Sequence, residues 1–367
     1  MPAVFANPYA SRFQHISSQK IAQLRYYGAI NSLNKLKVII LITLFLLFSG
    51  LFCFILDLFM YADMPASSID HNEKIILIKP GQNFKSFSER LQKADIIKDL
   101  YKFNLLARIK GYDKKIKAGE YLLSAAMPPN KIFHITVSGK VRLYKLTIPE
   151  GYNLNQIASN LAKAGLGKEE DFLRAALDSS LVHEEGIDAE TFEGYLFPET
   201  YYFQKNITPE KIISAMVKRF RSVFTPAFKE QAKKLGLSIH QTVTLASIIE
   251  KETGDPEERS VISSVFHNRL KKKMRLESDP TVIYGIKDFD GNIKKRHLKT
   301  STPYNTYQIS GLPPGPIANP GKKAIEAALF PADTDFLYFV SKKDTTHMFS
   351  TNIRDHNKAV RKYQLRK

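Results

Sequence analysis

The first long pattern in the chain is one of unbroken apolarity. Val38 to Leu56 (VIILITLFLLFSGLFCFIL) holds 19 residues without a charge. As a helix this run covers about 28 Å, close to the roughly 30 Å hydrocarbon core of a bilayer. It offers no polar face, and no small-x-small cleavage pattern closes it. It therefore predicts a membrane span over 38–57 rather than a removed signal peptide. After a linker (58–73), most polar from Asp63 to Glu73, the period changes. ILIKPGQNFKSFSERLQKADI (76–96) aligns without a gap with LTIPEGYNLNQIASNLAKAGL (146–166), at an offset of 70. Ile78/Ile148, Gly81/Gly151, Asn83/Asn153, Leu91/Leu161, Lys93/Lys163 and Ala94/Ala164 are identical. Each copy predicts a short strand, a glycine turn and an amphipathic helix. A second pair, YLLSAAMPPNKI (121–132) and YYFQKNITPEKI (201–212), predicts strand, proline turn and helix at an offset of 80. The chain thus holds two strand–helix–strand–helix units, the second longer by about ten residues.

From Leu235 the pattern is helical. Ser238 and Gln241 have the spacing of a capping box, and the helix runs from Ile239 to about Thr253, ending at Gly254 with Pro256 beyond. Ile239, Val243, Ala246 and Glu250 fall within about 60° of one another. Glu250 is thus in line with an apolar stripe, and Leu245 and Ile248 flank Glu252, so the same holds open for it. Asp255, Glu257 and Glu258 read as a solvated turn. A carboxyl held against apolar neighbours has its ionised form destabilised, as a general acid near neutral pH requires. The competing reading of Glu250 is a buried ion pair with Arg269 or Arg275. Asn268 and Arg269 lie on a further predicted helix, and Asp279 with Pro280 reads as an N-cap followed by proline. The segment 300–321 has four Pro and three Gly in its last eleven residues, which excludes helix and central strand and predicts a rigid extended wall. Tyr304, Asn305 and Tyr307 precede that wall and suit either sugar rings or a stiff loop. FLYFV (336–340) predicts a buried strand, and 347–363 a turn into a basic amphipathic helix.

Charge sets the orientation. The formal net charge is +18. Residues 1–37 carry Arg12, Lys20, Arg25, Lys35 and Lys37 and no acidic residue, which places this arm in the cytoplasm and exports the chain beyond residue 57. The exported basic surface then faces anionic lipid or an anionic wall polymer, not nucleic acid. Cys53 is the single cysteine, which excludes an intrachain disulfide or a cysteine zinc site. There is no HExxH, G-x-S-x-G, P-loop or Cys/His cluster, so no metal or cofactor is expected and carboxylate chemistry remains.

Taken in order, EGYLFPETYYF (193–203), LASIIEKET (245–253), VFHNRL…DPTVIYG (265–285), TPYNTY…GLPPGPIANPG (302–321) and the His347–Asn357 run resemble the endolytic murein transglycosylases of the YceG-like family. The likeness extends to the short arm and single span. It implies an α+β protein with a cytoplasmic arm (1–37), a span (38–57), a linker (58–73), a LysM-like βα module (74–143), a second βα repeat (144–235) and a catalytic core (236–367). In the LysM-like turn Gln82-Asn83 replaces the usual Asp-Thr, so a spacing role stands beside glycan binding. The resemblance makes Glu250 the catalytic acid and then base, cleaving the bond from N-acetylmuramic acid to N-acetylglucosamine and leaving 1,6-anhydro ends. It places Asn268, Arg269, Asp279, Tyr304, Asn305, Tyr307 and Asn352 at the substrate. Glycan strands, the inner membrane and peptidoglycan synthases are the implied partners, with the catalytic part in the periplasm or otherwise extracytoplasmic. A two-carboxylate hydrolase, with Glu193, Glu199, Glu252 or Asp279 as second acid, and a non-catalytic wall-binding scaffold are the alternatives.

Overall fold

A computed structural model describes residues 10–287 and 289–365, so the first nine residues of the expected cytoplasmic arm lie outside the described residues. The chain divides into two units, 1–141 and 142–367. The first opens with one helix, Ala10–Asp63. Its segment Asn34–Asp63 is long and apolar enough to cross a membrane, with a mean hydropathy of 2.9. The helix runs through the first six residues of the expected linker. Leu58 and Ala62 are four apart, hence on one face, and both are buried in the core of this unit. Asp57 pairs with Lys102 at 2.6 Å, the Tyr61 hydroxyl donates to Asp99 O at 3.0 Å, and Asn130 Nδ2 donates to Asp63 Oδ1 at 2.7 Å. Burial of one face and polar bonds on its flanks keep this stretch helical.

The rest of the unit is strand β1 (Lys74–Ile78), helices Phe84–Lys93 and Leu100–Ile109, strand β2 (Gly119–Leu123) and helix Pro129–Ser138. The strands pair antiparallel, with Ile76 opposite Tyr121. Phe87, Leu91, Phe103 and Phe133 fill the core, and the rings of Phe103 and Phe133 stack with centroids 4.5 Å apart.

The second unit begins with the same grammar: β3 (Leu143–Thr147), helix Leu154–Lys163, two short helices, β4 (Thr200–Gln204) and helix Pro209–Val223. Leu146 stands opposite Tyr201, the same repeat positions that face each other in the first unit. Asn83 and Asn153 both cap, each accepting from the backbone N–H three residues on. Tyr121 and Tyr201 each donate to the carbonyl four residues back, Lys117 and Phe197. The duplication read from sequence is thus a duplication of pairing register and of caps.

After the repeat come helices Pro226–Lys234, Ile239–Glu252, Arg259–Lys271, Asp279–Tyr284, Lys295–Lys299 and Lys322–Leu329, strands β5 (Tyr338–Ser341) and β6 (His347–Ser350), and helix Ile353–Val360. Between Thr300 and Gly321 there is neither helix nor strand, as the proline and glycine content requires. The strand expected over 336–340 sits later and is half-buried, because β6 pairs with it where a turn was expected, Phe349 opposite Phe339. The whole is a mixed fold of helices and small antiparallel sheets.

Phe133 is fully buried against Phe103, Phe84 and Tyr112. Phe133→Ala should lower the stability of the first unit by about 3–5 kcal/mol, as read by chemical denaturation.

Candidate active site

The helix Ile239–Glu252 is the element around which the site is built. Ser238 and Gln241 form the expected capping box. Every residue from Thr242 to Ile249 is buried, so the helix is enclosed on all sides. Its internal hydroxyls are satisfied locally: Thr242, Thr244 and Ser247 donate to Ser238 O, His240 O and Thr244 O. Ser247 Oγ also accepts from Ile317 N at 3.0 Å and so ties the proline-rich wall to the helix.

Glu250 lies in the last turn, with its side chain 5% exposed. Its ion-pair partner is neither Arg269 nor Arg275. Arg259, which opens the next helix, reaches back so that Nη2 donates to Glu250 Oε1 at 2.9 Å. Gly321 N donates to Oε2 at 2.9 Å. Burial pushes the Glu250 carboxyl above the ordinary carboxylate range; the Gly321 N–H and Arg259 pull it back, and the nearby Glu150 carboxylate pushes it up again.

Glu150 arrives from the turn after β3. Gly151 takes a φ of +74°, a conformation open to glycine, and its N–H donates to Asn319 O at 2.9 Å. This turn sets Glu150 Oε2 at 3.8 Å from Arg259 Nη2. A Cβ at position 321 would fall on the Glu150 carboxyl, so the carboxyl keeps this position only while residue 321 is glycine. Sequence reasoning missed Glu150, Arg259 and Gly321. For Glu150 one signal existed, since it aligns with Pro80 and is the place where the second copy of the turn departs in chemistry from the first.

Around the same turn a second acidic group forms. The Ser278 hydroxyl donates to Glu252 Oε1. Burial pushes the Glu252 carboxyl up to about 7; Ser278 opposes the shift, neighbouring Asp279 adds to it and Arg269 opposes it. The structure brings Asp279 and Tyr307 together, the phenol donating to Oδ1 at 2.8 Å. The cap of that helix falls one residue earlier than expected, on Ser278, whose hydroxyl is drawn to Glu252.

The other expected site residues are placed otherwise. Asn268 Nδ2 donates to Thr334 O and Phe336 O. Arg269, 6% exposed, donates to Leu337 O, Arg275 O, Leu276 O and Glu277. Asn305, 1% exposed, gives its amide to His297 O, Leu298 O and Thr300 O. Asn352 caps the last helix through Asp355 N. All four bond to the protein's own backbone. Tyr304 packs on Tyr284, ring centroids 4.8 Å apart, and lines a cavity with Glu193, His240 and Pro314. Of the other acids, Glu199 pairs with Arg219. Glu193 is buried, accepts from Leu154 N, Tyr284 Oη and Asn319 Nδ2, and is pushed up to about 7 by burial. Glu258, expected with Asp255 and Glu257 to be part of a solvated turn, is instead drawn inward: it accepts from His347 N at 2.8 Å and faces His347 Nδ1 at 2.6 Å.

The model of the YceG-like family matches residues 76–362, which takes in both repeats and every group at Glu250. The chain belongs to the YceG-like family. One family relative, named an endolytic murein transglycosylase, from Bacillus subtilis (strain 168), is 34% identical over 324 residues, covering 83% of this chain and 89% of that protein. A protein of the same name from Streptococcus pneumoniae serotype 2 (strain D39) is 32% identical over 330 residues, covering 80% of this chain and 59% of that longer protein. A crystal structure described as a putative YceG-like protein from Listeria monocytogenes covers 78% of this chain and 98% of its own, with 34% identity and a TM-score of 0.55.

Glu252 generates a prediction with a definite sign. The folded carboxyl holds its proton up to about 7, against 4.5 for the free group, so its contribution to stability is present below 4.5 and is lost as pH rises through about 7. Glu252→Gln keeps an oxygen for the Ser278 hydroxyl and cannot ionise. Its thermal midpoint should therefore gain on wild type between pH 5 and pH 8, a difference read by paired melts.

Proposed function

We propose that this chain is a membrane-anchored peptidoglycan lytic transglycosylase that cuts within glycan strands, with Glu250 as general acid and then base. The observation that carries the reading is the setting of Glu250: a buried carboxyl with raised proton affinity, held by one backbone N–H and one guanidinium. Membership of the family and the name shared by the relatives supply the substrate class.

In the forward step, protonated Glu250 gives its proton to the glycosidic oxygen between N-acetylmuramic acid and N-acetylglucosamine as the bond to C1 breaks. Positive charge develops at C1 as an oxocarbenium-like or N-acetyl-assisted intermediate. The Glu250 carboxylate then takes the proton of the muramoyl C6 hydroxyl while O6 bonds to C1. The product is a 1,6-anhydro ring, Glu250 is again protonated, and no water is consumed. In this reading Asp279 and Tyr307, joined to each other by a hydrogen bond, meet the glycan.

A second reading has one observation in its favour. Glu150 and Glu250 both lie within 4 Å of Arg259 Nη2, which gives the site the second carboxylate that a two-carboxylate hydrolase requires. The products separate the two, because hydrolysis adds water and leaves reducing ends.

The apolar helix supports a single-pass anchor, and the basic arm with its lack of acids supports a cytoplasmic N-terminus and an extracytoplasmic catalytic part. The β–α–α–β order of residues 74–123 supports a LysM-like module. An anchor at this position confines cutting to strands close to the membrane, where synthases polymerise them.

The test is digestion of purified peptidoglycan by the full-length protein in detergent, beside Glu250→Gln, with products read by mass spectrometry. Wild type should release 1,6-anhydro ends, and the variant should release them roughly 10²–10⁴-fold more slowly. Reducing ends from wild type would establish hydrolysis, and equal release by both would remove Glu250 from the chemistry.

A further inference from the structure

Three charged side chains meet at Glu250, and the proposed acid/base cycle uses one of them. Arg259 Nη2 is 2.9 Å from Glu250 Oε1 and 3.8 Å from Glu150 Oε2. Arg259 Nε is buried and has no hydrogen-bond partner among the described residues, so no bond on that edge locks the guanidinium in one orientation. The two acids differ in access: the Glu150 side chain is 47% exposed and that of Glu250 5%. Glu150 is the outer carboxylate and Glu250 the inner one. Gly321 serves both, its N–H holding Glu250 Oε2 and its bare Cα giving room to the Glu150 carboxyl.

A single acid/base has to carry a proton in one half of the reaction and a negative charge in the other. A guanidinium with one acceptor favours only the charged half. The conflict disappears when the cation has a second acceptor within reach. We propose that Glu150 is a positioning residue of the transglycosylase reaction: it accepts the Arg259 guanidinium while Glu250 carries the proton, and Arg259 returns to Glu250 once the proton has left. This rests on Glu250 being the acid/base of a transglycosylase. The remaining charges near Glu250 do not replace Glu150. Lys251 donates to Gly151 O at 3.3 Å; on the helix after Gly321, Lys322 and Lys323 pair with Glu326; Asp279 and Arg269 act on Glu252.

The sign of the effect is fixed by this geometry. Without the Glu150 charge, Arg259 has Glu250 as its single carboxylate and a like-charge repulsion is gone, so Glu250 gives up its proton at lower pH. The alkaline limb of kcat/KM should move down by on the order of one unit in Glu150→Gln. The loss relative to wild type should be about tenfold on that limb and shrink as pH falls. Glu150→Asp, which keeps the charge, should return the limb toward wild type. Gly321→Ala retains the N–H to Glu250 but displaces the Glu150 carboxyl, and should shift the limb in the same direction as Glu150→Gln. The assay is peptidoglycan digestion by the full-length protein, with Glu250→Gln alongside. An unmoved limb in Glu150→Gln, or a uniform drop at every pH, would leave Glu150 with a structural role and overturn the proposal. Activity surviving in Glu250→Gln would overturn the assignment of Glu250 itself, an outcome separable from either.

Discussion

The second unit is gathered on one amide. Asn319, fully buried, uses every polar atom it has: Oδ1 accepts from Leu196 N, Nδ2 donates to Tyr152 O and Glu193 Oε1, its own N–H donates to Tyr152 O and its carbonyl accepts from Gly151 N. Three stretches far apart in the chain are thereby held in one place: the turn after β3, the EGYLFPET segment and the end of the proline-rich wall. A buried donor or acceptor left without a partner costs about 1–3 kcal/mol, so each of these bonds resists separation of the segments. Two residues beyond Asn319, the Gly321 N–H points at Glu250. The placement of this backbone donor to Glu250 is thus tied to how Asn319 is satisfied.

The parts of this arrangement that rest on local rules were legible in the sequence. The capping boxes at Asn153 and Ser238 need only neighbours three residues away, and the repeat declares itself because aligned apolar positions recur at fixed offsets. The burial of Glu250 was legible for the same reason, since it lies in line with Val243 and Ala246. Its partner was not. Arg259 sits beyond a Gly-Pro turn whose direction no periodicity specifies, and Glu150 and Gly321 are 100 and 71 residues from Glu250.

The motif residues show a different limit. The stretch from Thr300 to Gly321 has no helix or strand to pair its carbonyls, so side chains must do it. At the entry to that stretch Asn305 takes the carbonyls of His297, Leu298 and Thr300, and Arg269 and Asn268 do the same for the chain around 275–276 and 334–337. Polar residues that brace an irregular loop and polar residues that meet a sugar have the same composition. Only burial and the destination of each N–H tell them apart.

The duplicated unit explains where the outer carboxylate comes from. Gly81 and Gly151 adopt the same φ of +74°, so the turn that carries Glu150 is built on the backbone of its counterpart in the first unit. At the position before that glycine the first copy has Pro80, which offers neither a charge nor an N–H. In the second copy Glu150 stands at that position and sets a carboxylate beside the Arg259 guanidinium. One side chain on a shared turn backbone is then linked to Glu250 through Arg259. The two copies thus share a turn and differ at the residue before its glycine, where the second alone has a carboxylate facing Arg259.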